Sequence, residues 1–319
     1  MLKAKWRLCL SIAVMGIISM FTVHNVYASS VKANYAVIPK FEGEQRGKRK
    51  DMFSFVWTPG KKENIQLEIV NYTDKEQEYV IQLNTVCTND EGKIEYKTPA
   101  KNTEENKLIS LIQLPKKIKV AKYSSKVLEG SLQLPNQNFV GDSLAGIHIS
   151  EAYIGGQKNS LVYDIPVSVQ GGEEEKKVAN IKLQTINVRK ARRDVYTLYA
   201  DFKNNSSHLL KDVVVSMQLK DKNGKEVLKQ YKKIDIVPKS LFSIPINSPE
   251  ELGEGSYSLE AEINNGSYKW NLHEDFDIDV KQALKLKKSF HKTRKIVNSD
   301  SLIISLSVAI VILIILLCI

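Results

Sequence analysis

Residues 195–224 read VYTLYADF, KNNSSHLLKD, VVVSMQL and KDKNG, and they contain the pattern that decides the fold. In the first and third segments apolar and polar residues alternate, a period of two that is typical of a half-buried strand. The second and fourth segments are rich in Asn, Ser, Asp and Gly, which favour loops and turns. The stretch therefore predicts two strands joined by a polar loop, with a turn after the second strand.

The same layout occurs earlier in the chain. A strand over residues 65–70 leads into Asn71, then into a polar loop, a second strand and a turn at Gly92. The spacing from Asn71 to Gly92 differs by one residue from the spacing between Asn204 and Gly224. Further alternating segments follow the same period, namely residues 127–134, 145–154, 161–169, 181–188, 257–263 and 276–280. No segment of this body has a convincing helical apolar stripe.

This repetition predicts an all-β fold of two immunoglobulin-like β-sandwich domains in tandem. We place the first domain at residues 29–157 and the second at residues 158–282. The charged stretch 171–177 is either a solvated connection near the boundary or a long hairpin loop within the second domain. Each domain is large enough to bury a core without disulfide bonds.

The two ends of the chain indicate export and anchoring. Residues 1–28 have a basic start, an apolar middle and Val26-Tyr27-Ala28, which predicts a signal peptide cleaved after Ala28; an uncleaved signal anchor is the alternative. Residues 301–319 are almost wholly apolar and long enough as a helix to cross a bilayer, so we expect a single transmembrane helix there. This arrangement puts the protein in the cell membrane, single-pass, with the body on the outer, cell-wall side.

The net charge of +10 comes mainly from the ends of the chain, so the body is nearly neutral. A nucleic-acid-binding face needs a basic stripe within the folded part, and we therefore expect no nucleic-acid partner. The basic cluster from Lys285 to Lys295 lies in a stalk predicted over residues 283–300. That stalk is either a solvated spacer or a contact for anionic wall polymers.

The residues that usually carry catalysis or bind metals form no recognisable motif in this sequence. Cys87 follows an alternating strand and is interpreted as a small buried hydrophobe, and His148 as an exposed residue on the polar face of a strand. The alternating Asp275, Asp277 and Asp279 are typical of a strand with one wet face, because the calcium-loop residues are missing at the required offsets. We expect no enzyme activity, no metal and no cofactor.

A set of short segments occurs in a fixed order along the body. In the first half these are residues 35–39, Gln45, 53–55, 58–60, 67–71, 88–96, 134–135, 139–141 and 145–147. In the second half they are residues 204–205, 237–240, 242–245, 255–257, Trp270 and Phe276. This ordered set resembles the WxL-interacting proteins, membrane-anchored surface proteins of Gram-positive bacteria with a peptidoglycan-binding domain followed by a host-binding domain.

The resemblance implies a non-enzymatic surface adaptor that binds peptidoglycan and tethers or displays WxL-domain proteins at the cell wall. The alternative is a surface adhesin or receptor whose second domain binds a host extracellular-matrix protein. Most of the shared residues have structural explanations, such as turns and core positions. The candidates for ligand contact are Gln45, Asn89, Tyr96 and Phe139.

Overall fold

The computed structural model describes residues 33–41, 50–99, 107–152, 161–172, 180–192 and 195–292. The predicted signal peptide and the predicted transmembrane helix at residues 301–319 lie outside these residues. Within the part described, the helices are all too short or too polar to cross a membrane.

The described chain is mostly built of strands, as the alternating pattern predicts. Those of the first half are β1 (Tyr35–Lys40), β2 (Phe53–Val56), β3 (Lys62–Asn71), β4 (Gln77–Thr88), β5 (Ile94–Pro99), β6 (Ile112–Gln113), β7 (Lys117–Val120), β8 (Ser125–Gln133), β9 (Asp142–Glu151) and β10 (Val162–Gln170), with a short helix α1 (Lys107–Leu111) before β6. Those of the second half are β11 (Ile181–Arg192), β12 (Val195–Asn204), β13 (Leu210–Asp221), β14 (Glu226–Ile236), β15 (Leu241–Ile246), β16 (Gly255–Asn264) and β17 (Lys269–Ile278). A second helix, α2, follows at residues 280–292.

Two sheets enclose the core of the first domain. Sheet I has the order β1-β3-β8-β6, and sheet II has the order β2-β10-β9-β4, with β5 and β7 both paired to the far edge of β4. Alternate residues of each strand face inward, as Ile65, Leu67 and Ile69 do on β3, and these three side chains are fully buried. Each such burial contributes about 2 kcal/mol, so the alternation predicted from sequence is what holds the sheets together.

The second domain repeats this plan around a separate core. Sheet III has the order β11-β12-β15, and sheet IV has the order β14-β13-β16-β17. Alternate side chains of β13 face inward and are buried among the apolar residues of both sheets; they are Val213, Val215, Met217 and Leu219. The body is therefore mostly β, with two cores in sequence along the chain.

A buried asparagine closes the equivalent corner in each domain. Asn71 ends β3, and its Nδ2 donates to the Val120 and Ala121 carbonyls at 3.2 and 3.1 Å. Asn204 ends β12, and its Nδ2 donates to the Val237 carbonyl at 2.9 Å. Both side chains are inaccessible to solvent. These bonds explain why the two repeats share an Asn at this position.

The strand β10 changes the predicted domain boundary. Residues 158–282 were assigned to the second domain, yet β10 pairs antiparallel with β9 and parallel with β2. Its residues Ile165, Val167 and Val169 are part of the first core. The first domain therefore extends to at least Gln170, because its apolar face is buried against sheet I. Residues 173–177 of the charged stretch lie outside the described residues.

Helix α2 corrects the interpretation of the stalk and of Asp279. Asp279 does not continue β17 but caps the helix: its Oδ1 accepts the Gln282 N–H at 2.7 Å, and Gln282 Oε1 accepts the Asp279 N–H at 3.0 Å. Leu286 is buried in the second core. Ser289 is also buried, and its Oγ accepts the Tyr196 N–H at 2.7 Å. The first half of the predicted stalk is thus part of the second domain.

Candidate functional site

The turn between β4 and β5 contains Asn89, one of the predicted ligand contacts. Its Oδ1 accepts the N–H groups of Glu91 and Lys93 at 3.0 and 2.9 Å, which fixes the turn. Asp221 makes the same pair of bonds, to Asn223 and Lys225, in the turn between β13 and β14. The hydrogen bonds of Asn89 are therefore those of a repeated turn motif, and its contact with a ligand stays a prediction.

This first-domain turn is also the surface on which the second domain docks. Gly92, at φ +78°, lies so close to Ile234 that an added Cβ would be 2.1 Å from its Cγ2. The Gly92 carbonyl accepts the Asp235 N–H at 2.8 Å. Thr88 Oγ1 donates to the Asp235 carbonyl at 2.9 Å and accepts the Val237 N–H at 3.1 Å. Backbone and side-chain bonds thus join the β4–β5 turn to β14.

Charged and aromatic side chains complete this contact. The Tyr199 hydroxyl donates to Asp90 Oδ2 at 2.9 Å, and Lys232 Nζ donates to the Asp90 carbonyl. Burial and the bond to Asp90 raise the pKa of Tyr199 to about 12, so the phenol is neutral and able to donate. Burial lowers the pKa of Lys232.

A second contact joins the domains at the start of β9. Gly141, at φ +100°, lies against Ser207, where an added Cβ would be 2.1 Å from the carbonyl oxygen. The Asp142 N–H donates to the Ser207 carbonyl at 2.8 Å, and Asp142 Oδ2 accepts the Leu209 N–H at 2.9 Å. His208 Nδ1 is 3.6 Å from the same carboxylate. We call these two contacts together the interdomain junction.

A cavity of about 430 Å³, which we call the interdomain cleft, lies beside the junction. Its size is within the range of small-molecule sites. The first domain contributes residues 85–87, 139–140 and 142–144, and the second contributes residues 207 and 237–241. Its lining mixes apolar side chains with Asp142, Lys239 and several hydroxyl groups, so it could receive a partly polar ligand.

Cys87 is one of the residues that line the cleft. It is half-buried, and burial raises the pKa of its thiol. A raised pKa keeps the sulfur protonated and poorly nucleophilic at neutral pH. The geometry is consistent with the interpretation of Cys87 as a small apolar residue.

Phe139, a predicted contact, lies at the edge of the cleft in an aromatic pair. Its ring stacks on that of Trp57, with centroids 4.6 Å apart and an interplanar angle of 30°. Gly171 packs behind Phe139, so closely that an added Cβ would be 2.2 Å from the Phe139 carbonyl oxygen. Both rings are half-buried. Phe139 therefore has a fixed position at the surface of the first domain.

Tyr96 is fixed on the outer face of sheet II. Its ring lies over Gly146, where an added Cβ would be 2.6 Å from Cδ1 of the tyrosine. The neighbouring Asn84 is buried, and its Oδ1 has no hydrogen-bond partner among the described residues. Val86, which pairs with Tyr96 across the β4–β5 ladder, lines the interdomain cleft.

The structure thus brings three of the four predicted contact residues to the end of the first domain that meets the second. Asn89 lies at the junction, Phe139 lines the cleft and Tyr96 lies one strand away from it. Gln45 lies outside the described residues. Whether any of them touches a ligand stays a prediction.

Sequence reasoning missed Trp57, whose ring stacks on Phe139. A signal was present, since Trp57 directly follows the apolar strand β2 and precedes the turn sequence Thr58-Pro59-Gly60. The long-range partner of that ring, 82 positions away in the chain by residue number, is not visible in any local pattern. The wall of the cleft formed by residues 237–241 was missed for the same reason.

The other residues considered for catalysis or metal binding lie on strands, where they form an ion pair or are exposed. His148 is half-buried on sheet II, not exposed as predicted, and its Nδ1 is 2.8 Å from Asp164 Oδ1 on the adjacent strand. Asp275 and Asp277 are exposed on β17. Within the described ranges, no group of three or more His, Cys, Asp or Glu residues could hold a metal ion.

These features define a two-domain β protein with a tight junction and a cleft beside it. The chain belongs to the WxL-interacting protein family. Residues 35–151 match the family's peptidoglycan binding domain, and residues 156–288 match its host binding domain. Comparison with curated proteins found no match.

The solved structures to which this chain is similar at low scores include a chaperone and two chaperone complexes. One is the chaperone–tip adhesin complex of CFA/I fimbriae biogenesis, at 12% identity, TM-score 0.35, and 77% coverage of this chain and 98% of that chain. Another is the CsuC–CsuE chaperone–tip adhesion subunit pre-assembly complex from Acinetobacter baumannii. Its sequence identity is 12% and its TM-score 0.35, with 76% coverage of this chain and 98% of that chain. A third is the E. coli chaperone DraB, at 13% identity and TM-score 0.31, with 77% coverage of this chain and 96% of that chain. These values are too low to indicate a shared function.

Proposed function

We propose that this chain is a non-enzymatic adaptor on the surface of a Gram-positive cell. Its first domain binds peptidoglycan, and its second domain tethers or displays WxL-domain proteins at the wall. A membrane span at residues 301–319 anchors the chain, with the body on the wall side. The proposal takes peptidoglycan binding from the name of the first matching domain and the WxL-domain partner from the name of the family.

The observation that carries the proposal is that the described body folds around two separate cores joined by the interdomain junction. Bonds from Thr88, Gly92 and Asp142 cross from the first core's strands to the second's. An adaptor must hold one ligand while presenting another, and a fixed junction serves that purpose. β-Sandwiches also offer edges and end loops for binding without a catalytic pocket.

The host-binding match at residues 156–288 supports a second candidate, a surface adhesin whose second domain binds a host extracellular-matrix protein. Both candidates use the same first domain. They differ in the partner of the second domain, so a binding experiment can separate them.

The test uses a purified fragment of residues 29–292, which keeps helix α2 docked through Leu286. Co-sedimentation with insoluble peptidoglycan at low salt is the first measurement, and we expect retention. The second measurement captures a purified WxL-domain protein on the peptidoglycan-bound fragment, with matrix proteins such as collagen and fibronectin in parallel. Failure to sediment contradicts the adaptor, while capture of a matrix protein in place of the WxL-domain protein favours the adhesin.

A further inference from the structure

An aromatic pair and an amide-rich loop form one surface beside the interdomain cleft. Trp57 and Phe139 stack at 4.6 Å, and Phe139 lies outside the core cluster of its domain. The flanking Val56 and Val140 are 54% and 37% exposed. The two half-buried rings therefore have exposed apolar neighbours along the chain, so apolar surface is available to a ligand at this place.

The loop of residues 135–138 supplies hydrogen-bonding groups next to this pair. Asn136, Gln137 and Asn138 are exposed. Their side chains form no hydrogen bond with another described residue, so each amide can offer donors and an acceptor to a ligand. We call the two rings and these three amides together the aromatic–amide surface.

The backbone of this loop is held in place although its side chains are unengaged. Gly60 N–H donates to the Pro135 carbonyl at 3.1 Å, and Leu134 N–H donates to the Lys61 carbonyl at 2.9 Å. Trp57 Nε1 donates to the Gln137 carbonyl at 2.8 Å, which ties the ring to the loop. A site fixed in this way loses little conformational entropy when it binds.

The charge of the surface limits what it can bind. Neither residues 53–60 nor residues 131–141 contain a charged side chain. Polyanions are bound by Lys and Arg, so an anionic wall polymer does not fit. A neutral sugar chain does fit, because the C–H faces of pyranose rings stack on aromatic faces and their hydroxyl and acetamido groups bond to amides.

We propose that the aromatic–amide surface is the site at which the first domain binds a neutral, N-acetylated glycan strand. The inference rests on the proposed function, since it names the part of peptidoglycan that is recognised and the residues that recognise it. The rings provide the stacking surface, and Asn136, Gln137 and Asn138 set the orientation of the sugars.

The test uses the full-length chain purified in detergent. Its co-sedimentation with peptidoglycan stripped of teichoic acids is compared for the unaltered chain, Trp57→Ala, Phe139→Ala and the double variant Asn136→Ala/Asn138→Ala. We expect each ring variant to weaken binding at least about tenfold, as loss of a central aromatic contact does. The amide double variant should weaken binding about threefold or more. Titration with a chitin hexasaccharide, a soluble N-acetylated glycan, should rank the affinities of the variants in the same order.

Two controls keep the result interpretable. Tyr123→Ala removes a 70% exposed aromatic of the same domain and should bind as the unaltered chain does. The amide variant changes only exposed side chains, so it stays folded even if a ring variant does not, and circular dichroism checks each protein.

If the unaltered chain binds and the amide and folded ring variants bind equally well, the glycan site lies elsewhere. If the unaltered chain does not sediment at all, the proposed function itself fails. Binding that requires teichoic acids would overturn the assignment to a neutral glycan.

Discussion

The turn after β4 and the turn after β13 are built alike but have different surroundings. In each, the first residue accepts two backbone N–H groups through its side chain, and a glycine follows at φ +78° or +77°. Gly92 is pressed against Ile234 of the other domain, whereas Gly224 has nothing within 4 Å of an added Cβ. The comparison shows that the hydrogen bonds within the turn do not determine whether it contacts the other domain. That contact depends on Thr88, on Asp90 and on the absence of a side chain at Gly92.

The largest difference is expected from alanine at the two glycines. Gly92→Ala combines the strain of a positive φ with a clash against Ile234, so we expect a loss of about 3–4 kcal/mol in the free energy of unfolding. Gly224→Ala carries the strain alone, about 1 kcal/mol. Guanidinium denaturation of residues 29–292 measures both, and equal losses would show that Gly92 makes no docking contact.

The buried asparagines that precede the two turns offer a second comparison. Asn71 Nδ2 donates to three carbonyls, those of Lys75, Val120 and Ala121, whereas Asn204 Nδ2 donates to that of Val237. Leaving buried backbone carbonyls unpaired is costly. We expect Asn71→Ala to destabilise its domain by about 3 kcal/mol and Asn204→Ala by about 2 kcal/mol. Thermal unfolding measures both, and the reverse order would contradict this account of the corner.

Tyr199 of the second domain donates a hydrogen bond to Asp90 in the turn after β4, the turn that contacts the other domain. Tyr199→Phe should cost about 1 kcal/mol at neutral pH, and Tyr231→Phe, an exposed control, should cost nothing measurable. Because the pKa of folded Tyr199 is raised to about 12, its stabilising contribution is complete below about pH 10 and is lost as the pH rises toward 12. The difference in stability between the two proteins should therefore shrink over that range; a constant difference would contradict the prediction.

The smallest difference is expected where the turns are alike. Asn89→Ala and Asp221→Ala each remove two side-chain acceptor bonds, so each should cost about 1 kcal/mol of stability. Peptidoglycan co-sedimentation adds the functional comparison. If Asn89→Ala weakens binding while Asp221→Ala does not, Asn89 contacts the ligand in addition to fixing its turn.

The strands and the repeat could be predicted from the sequence because their causes are local. Alternation of Ile65, Leu67 and Ile69 reports which face is buried, and Gly92 and Gly224 report turns with positive φ. Helix α2 was missed, since in a lysine-rich segment its buried side chains are few, chiefly Leu286 and Ser289. Its capping pair, Asp279 and Gln282, was the available signal.

Long-range pairing accounts for the other differences from the sequence-based expectations. The strand β10 alternates like any other, so nothing in it indicates that it returns to β9 and β2 rather than beginning the second domain. Of the candidate site, Asn89 and Phe139 were found through family resemblance. Their neighbours Ile234 and Trp57 were not, because each contact joins residues far apart in the chain.

We expect the interdomain junction to hold the two domains in one orientation, as an adaptor requires. Spin labels on Glu129→Cys and Asn271→Cys, in fragment 29–292 with Cys87→Ser, place one label on an exposed strand position of each domain. Double electron–electron resonance then measures the distribution of distances between them. We predict a single narrow distribution, unchanged by peptidoglycan and broadened by Gly92→Val. A broad distribution in the protein without the glycine substitution would contradict the claim.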